Sequence, residues 1–554
     1  MGAQILSLTD VKAREHYYAD GYWRHETLYG IALAHATTAP DSYALRHQSL
    51  RLTYRQFLNR VDALADELAL RGVRPGERVV TWIPNRVESA VIHIACSRGG
   101  YVFCPSPDRT HTVADVVTLL QRIRATAFFY QPGFGADSTQ SDIAVELGKV
   151  DSLRCVLTVN QLGSSPSIPF PDLTVSNREK LDPKVINNDP DCVRYLSFTS
   201  GSTGTPKGVM HSDNSLITVL RSMAVDWKFD SQTVTYALSP ISHGLGISGW
   251  LTSLVVGGEF VLHDLPRGAS VIERMVEVGT GYLVGVPTHA IDLLNELRQR
   301  GAAGLEKLKC FRISGAATPG HVIEELLQYG IPIQSGYGMT ENCAHQYTRP
   351  SDTPEQIIQT CGRVCAGYEV CIFDINDTDK PAQPGEVGQI GGRGASLMLG
   401  YFGDQRATES SFNSDGWFIT GDLGRHDESG YLHIAGRKKD LIIRGGVNIN
   451  PSRIEDFTMR HDAVMRAAAF PIADERLGER ICLAVMFKEG QSASQEQIFQ
   501  CIETAGLTRY EMPEYFLVLP DIPIMTNGKI LKIKIIKQVQ AGEIIPQRIH
   551  WRSV

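Results

Sequence analysis

The stretch Tyr195-Leu-Ser-Phe-Thr-Ser-Gly-Ser-Thr-Gly-Thr-Pro-Lys207-Gly208 holds the densest chemistry in this chain. Tyr195 to Phe198 read as a short strand. After it, Thr199, Ser200, Ser202 and Thr203 alternate with Gly201 and Gly204, and Lys207 follows Pro206. Glycines let successive backbone amides converge on one point, hydroxyls add donors, and a lysine adds positive charge. Together they make a cradle for phosphate oxygens. A Walker A loop needs G-x-x-x-x-G-K-[ST], whereas Lys207 stands between Pro206 and Gly208, so the cradle is of another kind. Gly/Ser/Thr clusters are usually polar turns; the fourteen-residue pattern and its closing lysine set this one apart.

Four further loops carry residues of the same sort. They are Ser239-Pro-Ile-Ser-His243-Gly244, Val286-Pro-Thr-His289, Ser314-Gly-Ala-Ala317 and Gly336-Tyr-Gly-Met-Thr-Glu341. Each of the first three follows an apolar run that reads as a strand (234–238, 282–285, 310–313). In open α/β sheets ligands collect at the carboxyl ends of strands, so these loops are expected to face one site.

The elements that position them alternate regularly. Val61, Leu64, Ala65, Leu68 and Leu70 are expected along one apolar face of a helix that ends at Gly72, and strands are expected at 78–83 and 101–104 with a helix between. Strand, helix, strand in alternation predicts an α/β domain of helix-covered parallel or mixed sheets. Region 362–435 has short strands and many glycines and reads as a β-rich subdomain. After Gly436-Arg-Lys-Lys-Asp440 the chain starts again with a Gly445-Gly446 turn, a helix from Pro451, and strands near 467–470, 482–487 and 515–519. That is a small α+β domain. The expected division is 1–436, a hinge at 437–440, and a mobile domain at 441–554.

The phosphate-loop sequence resembles that of the adenylate-forming superfamily: acyl- and aryl-CoA synthetases, adenylation domains of peptide synthetases, and luciferases. The resemblance extends from the Leu52-Thr-Tyr54 region to Lys529. Tyr337-Gly-Met-Thr-Glu341 matches the family's aromatic-G-x-T-E motif. It implies that Tyr337 packs on adenine, Thr340 contacts phosphate and Glu341 binds Mg2+; a hard cation bridging phosphates does want carboxylate oxygen. Gly315 and Ala316 are expected to join this AMP site. Gly416-Trp-Phe-Ile-Thr-Gly-Asp422 resembles the ribose motif, in which a carboxylate accepts from both hydroxyls. Arg437 matches a ribose or phosphate contact, and Lys439 stands at the hinge position. Ile522-Pro-Ile-Met-Thr-Asn-Gly-Lys529 resembles the catalytic-lysine motif, with Met525 where a threonine is usual and Thr526 one place later. His243 stands where relatives carry a residue beside the acyl carboxylate, and Gly244, Ser248, Ala316 and Gly336 are expected to line that pocket. Gly445 and Gly446 are expected along the thiol's route.

Composition narrows the partners. A net charge of -7 argues against broad affinity for nucleic acid or anionic membrane. Eleven scattered cysteines without CxxC predict reduced thiols and a cytoplasmic protein, and no apolar run is long enough to span a bilayer. A signal peptide is not expected.

The resemblance implies an acid–CoA ligase using ATP, Mg2+ and coenzyme A. Small residues in the expected pocket loops, with no acidic cage for an ammonium, favour a bulky aryl, alicyclic or polyketide-type monoacid. The alternatives are a stand-alone enzyme loading a carrier-protein phosphopantetheine thiol and a silent nucleotide-binding homologue; a homodimer is left open. Lys529 supplies the sharpest test. A positioned donor of this kind is worth about 10²–10³ in rate. Lys529→Ala should therefore abolish most ATP–pyrophosphate exchange while still converting supplied acyl-adenylate and CoA to thioester. Equal loss of both half-reactions in the folded variant would contradict a lysine confined to the first step.

Overall fold

The computed structural model describes residues 5–8, 10–159, 188–199, 206–266, 268–524 and 530–549. Ser200, Gly201, Ser202, Thr203, Gly204 and Lys529, and most of the expected connection at 163–190, lie outside the described residues.

Local signals start the helices. Thr53 accepts a hydrogen bond from the Gln56 amide while the Gln56 side chain returns to the Thr53 amide, and this capping box opens the helix Tyr54–Leu70. Its buried face carries Phe57, Leu58, Val61, Leu64, Ala65 and Leu68 against the main core.

The first large sheet orders its strands Cys155–Thr158, Ala125–Tyr130, Arg78–Trp82, Val102–Cys104, Val193–Thr199 and Lys207–Ser212. All pairs are parallel except the last, Val193–Thr199 with Lys207–Ser212, which is antiparallel. The second has nine strands. Its parallel centre runs through Phe260–Leu262, Val234–Ala237, Thr280–Gly285, Cys310–Ile313 and Ile333–Met339. Antiparallel strands finish both edges, so the sheets are of mixed orientation. One apolar core joins the facing sheets through helices such as Val87–Gly99 and Asp213–Asp226. Parallel strands bring their carboxyl ends to one side, and the expected site loops follow from there.

Two expectations change here. The Gly336 to Met339 segment, expected as a loop, continues the strand Ile333–Met339 and pairs antiparallel with Cys343–Tyr347. Gly244 and Ser248, expected on a loop, lie in the first turns of the helix Gly244–Val256. Glycine is a poor helix former, but packing overrides it: a Cβ on Gly246 would stand 1.9 Å from the Pro240 carbonyl oxygen.

The β-rich part is a four-stranded antiparallel sheet, Tyr368–Phe373, Gly388–Gly394, Phe418–His426 and Leu432–Arg437. Beyond the short turn Lys438–Asp440 every strand among the described residues belongs to a separate six-stranded sheet with its own core around Ile454, Leu483 and Ile498. The architecture is a large N-terminal α/β domain followed by a small α+β domain. Among the described residues no helix is long and apolar enough to cross a membrane.

Gly338 makes the turn before Glu341 possible, since a Cβ there would lie 1.9 Å from the Cys343 carbonyl oxygen. Gly338→Ala must push that backbone aside. The cost should be about 1–3 kcal/mol, read as a lowered urea midpoint at unchanged slope.

Candidate active site

Asp422 stands directly across from Arg437 in the antiparallel pair Phe418–His426 and Leu432–Arg437. Its Oδ1 is 2.8 Å from Arg437 Nε, and its Oδ2 accepts from the Tyr337 hydroxyl at 2.8 Å. Asp422 is only 4% exposed, so these two partners offset much of the cost of burying its charge. Burial and the Asp422 carboxylate push the Tyr337 phenol well above its ordinary range, so it serves as a donor. Three sequence-predicted AMP-site residues from two sheets thus form one hydrogen-bonded group.

Gly315 and Ala316 follow the strand Cys310–Ile313. Ser314 donates to the Gly336 carbonyl at 2.9 Å, which places Gly315 beside the start of the tyrosine motif. Gly315 has a φ of +97°, and Ala316 is exposed.

The next turn carries Thr340 and Glu341. The Thr340 carbonyl lies 2.7 Å from Nε2 of His211, on the strand Lys207–Ser212. A carbonyl can only accept, so Nε2 carries the proton and Nδ1 faces the Ser215 hydroxyl at 3.0 Å. Burial pulls the His211 pKa down to about 4, which keeps the ring neutral. The Glu341 carbonyl accepts from the Met398 amide at 2.7 Å, and its carboxylate Oε1 accepts from the Tyr401 hydroxyl at 3.0 Å. Burial raises the Glu341 carboxyl above its usual range; its own amide, Tyr401, Lys207 and Arg437 act the other way. Lys207 Nζ sits 4.7 Å from the centre of the Tyr401 ring. Glu341 therefore stands between the lysine that closes the phosphate loop and the ribose-motif pair.

The donor set bears on a metal. Among the described residues no cluster of three histidine, cysteine or acidic side chains exists to cage an ion. One buried carboxylate beside a phosphate cradle fits Mg2+, which keeps waters and phosphate oxygens as its other ligands.

His243 directly precedes the helix Gly244–Val256 and lies with Nε2 3.3 Å from Asp108 Oδ2. Asp108 also accepts from the Thr110 hydroxyl at 2.6 Å, and its Oδ1 is 3.0 Å from His111. Burial opposes its ionisation, but these hydrogen bonds win and hold the carboxyl well below the usual range. The contact joins the loop after Val102–Cys104 in one sheet to the loop after Val234–Ala237 in the other. Leu245 lies 3.7 Å from where a Gly315 Cβ would be, so the His243 and Gly315 loops are neighbours. Gly244 meets nothing within 4 Å. The Ser248 hydroxyl is spent on the Leu245 carbonyl at 2.8 Å.

Lys439 is exposed in the turn after Arg437. Gly445 and Gly446 have φ of +57° and +84° and close the two-residue hairpin Ile442–Arg444 and Val447–Ile449. This hairpin and the AMP-site group lie on opposite sides of the Lys438–Asp440 turn. Ile524 and Ile530, which flank the Lys529 segment, pair across an antiparallel bridge.

Asp108, His211 and Tyr401 were not among the expected site residues. Asp108 obeys the same carboxyl-end rule as the loops that were found. His211 is hidden in strand alternation, and Tyr401 lies in a stretch without period.

Comparison with known proteins follows this geometry. Residues 33–402 match the profile of the AMP-binding enzymes, and residues 453–529 match the AMP-binding enzyme C-terminal domain. The chain is 30% identical over 546 residues to a Streptomyces salicylyl-CoA synthase / salicylate adenylyltransferase, covering 96% of this chain and 97% of that protein. It is 29% identical to the medium-chain fatty-acid–CoA ligase of Escherichia coli, over 95% and 93% of the two chains. Its fold superposes on ATP-bound MatB from Rhodopseudomonas palustris with a TM-score of 0.82 at 24% identity, covering 92% of this chain and 99% of that one.

Asp422→Ala would leave the Tyr337 hydroxyl and the Arg437 guanidinium without their shared acceptor. Hydrogen bonds to charged groups are worth about 1.5–3 kcal/mol, so the KM for ATP should rise roughly tenfold to hundredfold with an unchanged circular dichroism spectrum.

Proposed function

We propose, from the premise that this chain belongs to the family of AMP-binding enzymes, that it is an AMP-forming acid–CoA ligase. A carboxylate oxygen of the acid attacks the α-phosphorus of ATP and the bond to pyrophosphate breaks, giving an acyl-adenylate. The sulfur of coenzyme A then attacks the acyl carbon, the bond to AMP breaks, and the thiol proton leaves. ATP, Mg2+ and coenzyme A are the reagents of the family.

The observation that carries this reading is the hydrogen-bonded group Tyr337–Asp422–Arg437 beside Thr340, Glu341 and Lys207. Tyr337 offers a ring for adenine, and Gly315 and Ala316 border it. Asp422 presents acceptor oxygens to the ribose hydroxyls, and Arg437 fixes that carboxylate. Thr340 and Lys207, with Thr199, Ser200, Gly201, Ser202, Thr203 and Gly204 of the loop, hold phosphate. Glu341 holds Mg2+, which when bound neutralises phosphate charge. His243 faces the acid's carboxylate with Asp108 behind it, in a pocket with Gly244, Ser248, Ala316 and Gly336.

The second step requires the small domain to turn about Lys439 in the 437–440 hinge, with 1–436 and 441–554 as the two bodies. One orientation delivers Lys529; the other brings the Gly445-Gly446 hairpin to the acyl site. Both hairpin glycines have positive φ and Gly446 has no neighbour within 4 Å of a Cβ, which suits the passage of a narrow pantetheine arm. An aryl or other bulky monoacid is the favoured substrate class, in line with the salicylyl-CoA relative. Eleven unpaired cysteines suit a reducing compartment such as the cytoplasm. The phosphopantetheine thiol of a carrier protein is the alternative acceptor.

The test is ATP–pyrophosphate exchange over a panel of aryl, alicyclic and straight-chain acids, followed by thioester formation with free CoA or a phosphopantetheinylated carrier. Exchange should be greatest with an aromatic or alicyclic acid, and free CoA should be the better acceptor. Exchange with no acid would overturn the enzymatic reading, and turnover with the carrier alone would overturn the acceptor.

A further inference from the structure

The Tyr401 ring is 6% exposed and touches the two opposite charges at the phosphate end of the site. Its face lies under Lys207, with Nζ 4.7 Å from the ring centre, and its hydroxyl donates to Glu341 Oε1 at 3.0 Å. The backbone fixes the ring. Tyr401 bridges to Val209 on the strand that begins with Lys207, and its amide donates to the Thr408 hydroxyl at 2.9 Å. Three residues earlier, the Met398 amide holds the Glu341 carbonyl at 2.7 Å. One segment therefore grips both ends of Glu341, main chain and carboxylate. Among the described residues Tyr401 is the only side chain that donates to that carboxylate.

We propose that Tyr401 is a positioning residue that aims the Glu341 carboxylate at the metal. This rests on the reading of Glu341 as the Mg2+ ligand. A hydroxyl bound to one carboxylate oxygen removes the rotation of the group and leaves the other oxygen as ligand. A phenol suits the task because its π face accepts a cation while its O–H serves an anion, so Lys207 and Glu341 are held close together without pairing with each other. A carboxylate that instead paired with Lys207 would have to be pulled off the lysine each time metal and nucleotide entered.

Partners that orient a metal ligand typically contribute about 10–100-fold to metal affinity. The test uses the full chain with Mn2+ as probe, titrated by electron paramagnetic resonance in the presence of a non-hydrolysable ATP analogue. Tyr401→Phe keeps the ring and loses only the donor. It should weaken Mn2+ binding roughly tenfold or more, leave analogue affinity in EDTA within about twofold, and lower adenylation by a similar factor. Glu341→Gln supplies the reference. If the tyrosine acts through this carboxylate, the double variant should bind Mn2+ no more weakly than Glu341→Gln alone. Unchanged Mn2+ affinity in Tyr401→Phe, while Glu341→Gln loses it, overturns the inference and spares the reading of Glu341. Unchanged affinity in Glu341→Gln overturns that reading itself. Additive losses in the double variant assign Tyr401 a separate structural role and also overturn the inference.

Discussion

The ion pair between the buried Asp422 carboxylate and Arg437 closes the last cross-strand pair before the turn Lys438–Asp440. Arg437 is the last residue of the strand Leu432–Arg437, and the turn Lys438–Asp440 begins immediately after it. The pair coincides with a cross-strand register position, so main-chain pairing and side-chain charge select the same alignment. Shifting the register by one residue would turn Arg437 to the opposite face and leave a carboxylate 4% exposed without its cation, a loss of several kcal/mol. Tyr337 reaches the same carboxylate from another sheet. The Tyr337–Asp422–Arg437 group and the start of the turn Lys438–Asp440 are therefore one connected unit. Gly436, with φ of +110°, adds a close approach to the small domain: a Cβ there would lie 2.6 Å from Asn450, which caps the helix Pro451–Met459.

The convergence of the other loops follows from strand direction. Val102–Cys104 and Val193–Thr199 run parallel, as do Val234–Ala237, Thr280–Gly285, Cys310–Ile313 and Ile333–Met339. Specific contacts then lock neighbouring strand ends together. Ser106 accepts from the Phe198 amide at 2.7 Å within one sheet. Asp108 meets His243 between sheets, and His211 holds the Thr340 carbonyl. These contacts tie loops from both large sheets to one another.

Much of this was legible in the sequence because it depends on local rules. The helix face of Val61, Leu64, Ala65 and Leu68 and the buried strand at Arg78–Trp82 follow from period and composition, whereas Leu70, expected on the same face, is 83% exposed at the helix end. The Gly445-Gly446 hairpin follows from the need for two positive φ angles. What could not be read depends on contacts distant in sequence. The Gly336 to Met339 segment is rich in glycine and reads as a loop, but antiparallel pairing with Cys343–Tyr347 makes it strand. The helix at Gly244 contains three glycines in its first two turns because Gly246 presses on Pro240 and Gly249 on Val284, so packing, not propensity, decides. Tyr401 contacts Glu341 across sixty positions of sequence, and no spacing rule reaches that far.

The strengths of these interactions also separate fixed parts of the site from deliverable ones. Arg437 is tied to Asp422 at 2.8 Å by a charge-assisted hydrogen bond whose carboxylate end is buried, while the Arg437 side chain itself is 40% exposed and partly screened by solvent. Lys207 has no ion-pair partner among the described residues and rests on an aromatic face, a contact worth about 0.5–2 kcal/mol. A single charge-assisted hydrogen bond to an incoming phosphate is enough to displace the second contact. On the function proposed above, Arg437 belongs to the frame that holds the Asp422 carboxylate in place, whereas Lys207 is free to leave the ring and close on phosphate.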